Sequence, residues 1–301
     1  MVVVAGFCAC ASAADLLVGS DNFNGSLVGI LRYDGNTGAF LGRFINIDRP
    51  ISMTYGPDGN LYVGSIATNS INRYNGTTGA FLNTFVSSGS GGLVMPWDMT
   101  FGPDGNLYVA SEGTTSGVLR YNGTTGAFMD RLTTTVATGL TFGHDGNLYT
   151  SELGIKRYRA SDGAFLGDFV ANNSSTLYGP YHLRFGADAN LYVMNVQPGL
   201  RQYDGATGGY VRDFAVPPNP NNPLFLGFSF VFGPDGNLYM DNGEGSGVMR
   251  FNGTTGAFID QFVPLGSGGL SVGRSMVFMV PEPSVMLLGS LATLLLTRRR
   301  R

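Results

Sequence analysis

The sequence is short of the residues on which most compact catalytic sites depend. Its 301 residues include only two cysteines and two histidines, and both cysteines, Cys8 and Cys10, lie within the first ten residues. The rest of the chain therefore has no thiol for a disulfide or for a cysteine-bound metal. The HExxH and phosphate-loop motifs are also absent. These absences exclude a disulfide-stapled scaffold and the motif-defined zinc and nucleotide sites.

Charge is scarce as well, and no segment carries a long helical stripe of Leu, Glu, Lys and Ala. Charged residues make up 13% of the chain, against about 25% in ordinary globular proteins. The 46 glycines are roughly twice the usual share. With 43% hydrophobic residues the chain can still bury a large core. The composition therefore favours a turn-rich, all-β protein over a helical or disordered one.

Two phrases recur along the chain. The first, typified by FGPDGNLYVAS from Phe101, occurs five times, and the second, typified by RYNGTTGAF, occurs six times. A period in the forties is typical of solenoids and propellers. The Gly and Asn residues that interrupt each unit at short intervals exclude helical repeats.

One unit, residues 96–136, predicts four strands. They cover residues 97–101, 106–111, 117–121 and 127–132, and GPDGN and NGTTG supply the turn chemistry between the first and second and between the third and fourth. In the second strand Leu107 and Val109 point to one face and Tyr108 to the other, so both faces are apolar. Such a strand is expected between two neighbouring sheets. The unit therefore predicts a blade of a β-propeller.

The first phrase lacks a sixth copy because that copy is split between the two ends of the repeat region. Residues 15–20 align with the second strand, and residues 274–280 align with the first strand. Pairing these two segments would close the ring and leave no unpaired inner edge. The sequence thus predicts an all-β, six-bladed β-propeller of four-stranded blades over residues 14–280, closed by the N-terminal and C-terminal strands in one blade.

The N-terminal segment predicts export. An apolar stretch over residues 2–11 is followed by an A-x-A pattern at residues 11–13, which is typical of a secretory signal peptide over residues 1–13. No Lys or Arg precedes the apolar stretch, which departs from the usual form. A lipoprotein attached through Cys8 or Cys10 is the alternative.

The C-terminal segment, residues 281–301, combines three elements in order: a Pro-Glu-Pro, an apolar run over residues 285–296, and an arginine cluster. In this order they resemble the PEP-CTERM sorting signal of exported bacterial proteins, and a buried terminal helix is the alternative. The resemblance implies an exosortase-type processing enzyme, transient insertion of residues 285–296 in the inner membrane, and a final location in the cell envelope, at the outer surface or outside the cell. Its residues are Pro281, Glu282, Pro283, Arg298, Arg299, Arg300 and Arg301.

Without both ends, the body keeps 14 basic and 20 acidic residues, a net charge of about −6. An acidic body of this kind does not favour nucleic acid.

The repeat itself, GPDGNLYV followed by a V-x-R-[YF] strand, resembles the NHL-type six-bladed propellers and most closely the virginiamycin B lyase-like group. The resemblance spans residues 15–280. It implies that an enzyme of this group would hold acidic residues and histidines around a divalent cation at the mouth of the channel. The matching positions make His182, Glu112 and Glu152 catalytic candidates, and Glu112, Glu152 and Asp241 metal candidates. A metal-dependent lyase or lactonase-like hydrolase is therefore one hypothesis.

The other hypothesis is a module that binds without catalysis and without a cofactor. Aromatic side chains at loops can stack on sugar rings while neighbouring polar groups donate and accept hydrogen bonds. We favour this hypothesis: an exported surface or extracellular-matrix propeller that binds polysaccharide or protein. A homomeric surface layer is a third alternative. The binding candidates are Trp97, Asp98, Tyr178, Tyr181 and Tyr210.

Overall fold

The computed structural model describes residues 14–21, 29–113, 116–172, 177, 179–195, 199–216, 227–241 and 247–280. The predicted signal peptide and the predicted sorting segment both lie outside these residues. No helix in the described part of the chain is long and apolar enough to cross a membrane.

The described residues form six sheets of four antiparallel strands. Blade 1 contains β1 (Leu16–Asp21), β2 (Gly29–Tyr33) and β3 (Phe40–Ile45) together with the last strand of the chain. Blade 2 is β4 (Pro50–Tyr55), β5 (Leu61–Ser65), β6 (Ser70–Tyr74) and β7 (Phe81–Val86). Blade 3 is β8 (Pro96–Phe101), β9 (Leu107–Ser111), β10 (Gly117–Tyr121) and β11 (Phe128–Arg131).

The second half of the chain repeats this order. Blade 4 is β12 (Gly139–Phe142), β13 (Leu148–Ser151), β14 (Ile155–Tyr158) and β15 (Phe165–Val170). Blade 5 is β16 (Leu183–Phe185), β17 (Leu191–Met194), β18 (Leu200–Tyr203) and β19 (Tyr210–Ala215). Blade 6 is β20 (Phe230–Phe232), β21 (Leu238–Asp241), β22 (Val248–Phe251) and β23 (Phe258–Val263), and β24 (Val272–Phe278) returns to blade 1.

Blade 1 closes the ring as predicted. Its strand order is β24-β1-β2-β3, and the antiparallel register places Leu16 opposite Phe278 and Val18 opposite Met276. The backbone N–H of Met279 also donates to the carbonyl of Asp15 at 2.8 Å. The prediction of an all-β, six-bladed propeller closed by both ends of the repeat region is therefore confirmed.

The GPDGN phrase folds as a hairpin turn because its side chains satisfy the turn backbone. In blade 3, the carboxylate of Asp104 accepts hydrogen bonds from the backbone N–H and the side-chain amide of Asn106 and from the hydroxyl of Tyr108. Gly105 has φ +75°, a conformation that costs other residues about 1–2 kcal/mol. The phrase thus ties the turn to the second strand as well as reversing the chain.

The NGTTG phrase joins the third and fourth strands and also sets the distance between blades. The Asn122 side chain accepts hydrogen bonds from the N–H groups of Thr124 and Thr125, and Asp34 and Asp204 make equivalent bonds in their turns. Gly126 has φ +73°, and a Cβ there would overlap the carbonyl oxygen of Phe85 in the preceding blade. Only glycine allows the turn of one blade to lie this close to the outer strand of the preceding blade.

The core lies between blades, as the apolar faces of the second strand predict. The ring of Tyr62 packs edge-on against Phe85 of its own blade, at a centroid distance of 4.8 Å, and against Phe101 of the next blade at 5.0 Å. Tyr149, Tyr192 and Tyr239 make the same pair of contacts in their blades. Edge-to-face aromatic pairs add about 0.5–1.5 kcal/mol each beyond their buried area, so the repeated Tyr holds neighbouring sheets together.

The hairpins divide the disc into two faces. Because the strands alternate in direction, the GPDGN and NGTTG turns lie on one face, here called the turn face. The ends of the second strands and the beginnings of the first strands lie on the opposite face, here called the site face. The six first strands, β4, β8, β12, β16, β20 and β24, surround the central channel.

Candidate functional site

A cavity of about 280 Å³ lies in the central channel. It is lined by residues at the start of the first strand of every blade, so each blade contributes to one wall. One repeat position on this wall carries a different residue in every blade: Ile51, Trp97, Thr138, Tyr181, Phe228 and Arg274. The next position carries serine in three blades (Ser52, Ser229 and Ser275) and Asp98, Gly139 and His182 in the others. Otherwise similar repeats therefore differ at the channel wall.

Asp98 and Arg184 form an ion pair on this wall, here called the channel pair. The two guanidinium nitrogens of Arg184 each donate to one carboxylate oxygen of Asp98 at 3.0 Å. The same carboxylate accepts the N–H of Leu140 at 3.0 Å, so the pair joins blades 3, 4 and 5. Burial alone would raise the pKa of Asp98, but the charge and hydrogen bonds of Arg184 hold it below its ordinary value.

His182 lies beside the channel pair and is neutral. Burial, together with the positive charge of Arg184, lowers the pKa of His182 to about 3, although Asp98 opposes the shift. Its ring packs edge-on against Phe230 at a centroid distance of 4.9 Å. An imidazole with this pKa is a weak base at neutral pH. The environment of His182 therefore suits a packed, uncharged wall residue.

A second charged group, here called the seam cluster, joins blade 1 to its neighbours. It contains Asp21, Arg49, Asp241 and Arg274. The carboxylate of Asp21 lies 3.4 Å from Nε of Arg49 and 3.6 Å from Nε of Arg274. Burial lowers the pKa of Arg274, while Asp21 and Asp241 oppose the shift. The cluster thus places two cations and two carboxylates around the strand pairing that closes the ring.

Asp241 and Arg274 are each engaged with the segment that enters blade 6. The carboxylate of Asp241 accepts the backbone N–H groups of Phe228 and Ser229 at 2.8 and 2.5 Å. The guanidinium of Arg274 lies 4.1 Å from the ring centroid of Phe228, a distance typical of a cation–π contact. Both charged side chains therefore hold the entry to β20 in place.

Uncharged polar and aromatic groups complete the wall. The indole Nε1 of Trp97 donates to Glu112 at 2.5 Å, which fixes the ring at the site face. Tyr181 packs edge-on against Phe228 at a centroid distance of 6.0 Å. The hydroxyl of Ser275, a residue only 8% exposed, has no hydrogen-bond partner in the described part of the chain. A buried hydroxyl left unpaired is unusual, and this one lines the cavity.

The three predicted metal candidates are not brought together. Glu112 bonds to Trp97, Glu152 accepts hydrogen bonds from Thr150 and Tyr158, and Asp241 accepts the two backbone N–H groups described above. The described residues contain no group of three or more His, Cys, Asp or Glu side chains placed to hold a metal ion. Within these residues the carboxylates therefore do not fit a divalent-cation site, and the metal-dependent hypothesis stays a prediction for experiment.

The predicted binding residues separate into two places. Trp97, Asp98 and Tyr181 all line the channel cavity. Tyr210 is the first residue of β19, an outer strand, where it packs against Tyr203 of the same blade at a centroid distance of 6.0 Å. It lies on the perimeter of the disc. Tyr178 and the sorting residues Pro281, Glu282, Pro283 and Arg298–Arg301 lie outside the described residues.

Sequence reasoning missed Arg184, Arg274 and Ser275. Arg184 could have been recognised from the repeat, because it occupies the position at which three other first strands carry threonine: Thr54, Thr100 and Thr141. A residue that breaks a regular repeat at a first-strand position points to the channel wall.

Comparison with known proteins supports the fold. No protein-family model matches the chain, and no curated protein matches its sequence. A chain of the nidogen–laminin complex is similar in structure, with a TM-score of 0.65, 16% identity and coverage of 89% of this chain and 98% of that chain. A Bacteroides caccae protein of unknown function is similar at a TM-score of 0.62 and 15% identity, over 88% of this chain and 98% of that one.

An enzyme also shares the fold. Catalytically inactive virginiamycin B lyase from Staphylococcus aureus, crystallised with quinupristin, gives a TM-score of 0.53 and 18% identity, over 70% of this chain and 69% of that chain. At such identities the likeness concerns the propeller fold alone, which hosts catalytic and binding proteins alike.

Proposed function

We propose that this protein is an exported binding module that takes a polysaccharide segment at the mouth of its central channel. The observation that carries the proposal is the channel wall, where residues that differ from blade to blade surround one cavity. Trp97 and Tyr181 supply ring surfaces of the kind that stack on sugars. The predicted signal peptide and sorting segment support a location in the envelope or extracellular matrix.

The ionisable groups of the wall support binding over catalysis. Asp98 is held by Arg184, and Asp241 is held by backbone N–H groups. Catalytic acids and bases need pKa values near the working pH, whereas His182 is neutral far above its pKa of about 3. The wall thus offers fixed polar surface and no poised proton acceptor among the described residues.

The single tryptophan of the chain is Trp97, and it reports directly on the cavity. We would purify the protein from the medium or the cell envelope, add soluble polysaccharides, and follow its fluorescence. Saturable quenching or enhancement is expected with at least one polymer. A Tyr181→Ala variant should weaken this binding at least tenfold, whereas Tyr210→Ala, an aromatic truncation on the perimeter, should leave it unchanged.

Two results would overturn the proposal. One is the absence of a saturable change with every polymer tested. The other is a stoichiometric divalent ion in the purified protein that is lost in the Glu112→Ala and Glu152→Ala variants, because that result would favour the metal-dependent lyase or hydrolase. Intact-mass measurement of the same preparation would check the predicted cleavages after residue 13 and near Pro281.

A further inference from the structure

We propose that the channel cavity selects an uncharged, hydroxyl-rich saccharide and discriminates against acidic saccharides that carry carboxylate or sulfate groups. This inference rests on the proposed function, because it assumes that a saccharide enters the channel mouth. The chemical class of that ligand follows from the ion pairs that already neutralise the charged side chains of the wall.

The first step concerns Arg184, which would otherwise be the natural receptor for an anion. Its guanidinium donates to both oxygens of Asp98, and one of its nitrogens also donates to the carbonyls of Leu140 and Leu183 at 2.8 Å. Of the five N–H donors of the guanidinium, those on Nη1 and one on Nη2 are directed to these protein acceptors. The charge of Arg184 is already matched by Asp98, which is 5% exposed, so an incoming carboxylate would add a second negative charge beside a buried one.

The same holds for Arg274, the other cation that lines the cavity. Asp21 is 1% exposed and lies between Arg274 and Arg49, and Asp241 adds a second negative charge nearby. One face of the Arg274 guanidinium is directed to the ring of Phe228. If Arg274 moved toward a ligand anion, the buried carboxylate of Asp21 would lose one of its two counter-charges and keep only Arg49, which costs free energy.

No additional positive charge arises from histidine, because His182 remains neutral at physiological pH. The channel pair and the seam cluster together contain three arginines and three aspartates, so their net charge is zero. Glu112 adds a carboxylate beside Trp97 at the site face. An anionic ligand would therefore find the arginine charges of the wall already neutralised by aspartates. At the entrance of the cavity it would also be repelled by the carboxylate of Glu112.

What the wall leaves available is uncharged. Trp97 and Tyr181 offer apolar ring surface, and polar lining residues such as Thr100 and Thr138 carry no charge. The hydroxyl of Ser275 has no hydrogen-bond partner among the described residues, but its oxygen is buried within the wall. A sugar ring with free hydroxyl groups matches this combination, since it stacks by its C–H face and hydrogen-bonds at its edge.

The test compares matched neutral and acidic probes. Soluble dextran, laminarin and xyloglucan would each be paired with a carboxymethylated form of the same polymer, and binding would be followed by the fluorescence of Trp97 at physiological salt. We expect at least one neutral polymer to bind, and its carboxymethylated form to bind at least tenfold more weakly.

Variants sharpen the test by changing charge with little change in shape. Glu112→Gln keeps an acceptor for the Trp97 indole but removes the carboxylate at the cavity entrance. The dissociation constant of the carboxymethylated polymer divided by that of the neutral polymer should fall at least threefold in this variant. Asp98→Asn leaves the charge of Arg184 without its counter-charge and should lower this ratio of dissociation constants further. Because Asp98→Asn also removes a buried ion pair, its fold would be checked by thermal unfolding, and Glu112→Gln decides the result if that variant does not fold.

The outcomes separate the two proposals. Tighter or equal binding of the carboxymethylated forms would overturn the selectivity for uncharged saccharides while leaving saccharide binding intact. An unchanged ratio in Glu112→Gln would also overturn it, since the charge argument predicts a shift. If neither form of any polymer binds, saccharide binding itself is wrong and the selectivity inference fails with it.

Discussion

Blade 1 and the five other blades reach the same four-stranded sheet by different means. In blades 2 to 6 a GPDGN or closely related turn joins the first two strands covalently, and the turn aspartate bonds to the tyrosine of the second strand. In blade 1 that turn is missing, and β24 and β1 are joined by backbone pairing, with a register shift between Gly19 and Ser20, and by the Arg274–Asp21 ion pair. The seam cluster lies beside this junction. The junction of β24 and β1, which no turn connects, is thus accompanied by ion pairs that link blades 6, 1 and 2.

The interior of blade 1 differs too. Leu17 stands where the other second strands carry tyrosine, and it packs with Phe44 and Tyr55 in one apolar cluster. No turn aspartate is available for a tyrosine hydroxyl at this place. Where a turn joins the first two strands of a blade, the hydrogen bond between the turn aspartate and the second-strand tyrosine is present. In blade 1, where no turn joins these strands, apolar packing and ion pairs replace that hydrogen bond.

Removing the closing strand should have the largest effect. Deletion of residues 274–280 takes most of β24 from blade 1, exposes the inner edge of β1 and separates Arg274 from the seam cluster. We expect loss of the cooperative thermal transition, or aggregation. A matched deletion of residues 281–301 should leave the transition unchanged. Equal melting behaviour of the two truncations would contradict closure by β24.

Glycine substitutions compare the seam with an ordinary blade interface. Gly38 and Gly126 both have positive φ, and a Cβ at either would overlap a carbonyl oxygen of the preceding blade. Gly38→Ala, at the seam between blades 1 and 6, and Gly126→Ala, between blades 3 and 2, should each lower the free energy of unfolding by at least ~3 kcal/mol, from backbone strain and a steric clash.

The control for these variants is Gly105→Ala. Gly105 also has positive φ, but no atom lies within 4 Å of an added Cβ, so only the strain of about 1–2 kcal/mol applies. Denaturant unfolding would measure all three variants. A Gly38→Ala cost no larger than that of Gly105→Ala would show that the seam is looser than the other interfaces.

Acidification should distinguish the channel pair from the seam cluster, because only the former lies beside a histidine. The folded pKa of His182, about 3, is below its unfolded value of 6.5, so the unfolded chain binds the extra proton between these values. Stability is therefore expected to fall as pH drops below about 6.5, by at most about 1.4 kcal/mol per pH unit from this group.

Chemical unfolding between pH 7 and pH 5 would measure this slope. The variant His182→Gln should flatten it, whereas Arg274→Gln, in the seam cluster, should lower stability at every pH and keep the slope. A slope that survives in His182→Gln would place the titrating group elsewhere.

The smallest effect is expected at the outer turns, where blade 1 is like the rest. Asn122→Asp should change the free energy of unfolding by less than about 0.5 kcal/mol, because Asp34 and Asp204 already make the same hydrogen bonds in blades 1 and 5. Thermal unfolding would measure the change. A loss above 1 kcal/mol would mean that the turns of blades 1 and 3 are not interchangeable.

The fold could be predicted from the sequence because the residues of each repeat specify the strands and turns of one blade. The turn phrases specify hairpins locally, and the apolar residues on both faces of the second strand require a neighbouring sheet on each side. The closing blade was also predictable, since the two halves of the split copy are complementary. The strand bounds differ from the prediction by a residue or so: the second strand of blade 3 begins at Leu107 instead of Asn106.

The candidate site was predictable only in part. Trp97, Asp98 and Tyr181 were named as binding candidates from loop aromatics and their polar neighbours, and the structure places them at the channel cavity. Arg184, Arg274 and Ser275 were not recognised. Their roles depend on contacts across the channel, such as that between Asp98 and Arg184, which are 86 residues apart. The convergence of Glu112, Glu152 and Asp241 on a cation was expected from resemblance, whereas each is engaged by its own neighbours in the structure.

By itself, the sequence determined the blade, the number of blades and the place where the ring closes, because turn chemistry and two-residue periodicity act over a few residues. Only the tertiary structure decided which charges are already neutralised, that His182 is uncharged, and that the buried hydroxyl of Ser275 has no partner among the described residues. These properties depend on burial and on distances between blades, and neither can be read from the order of residues within one repeat.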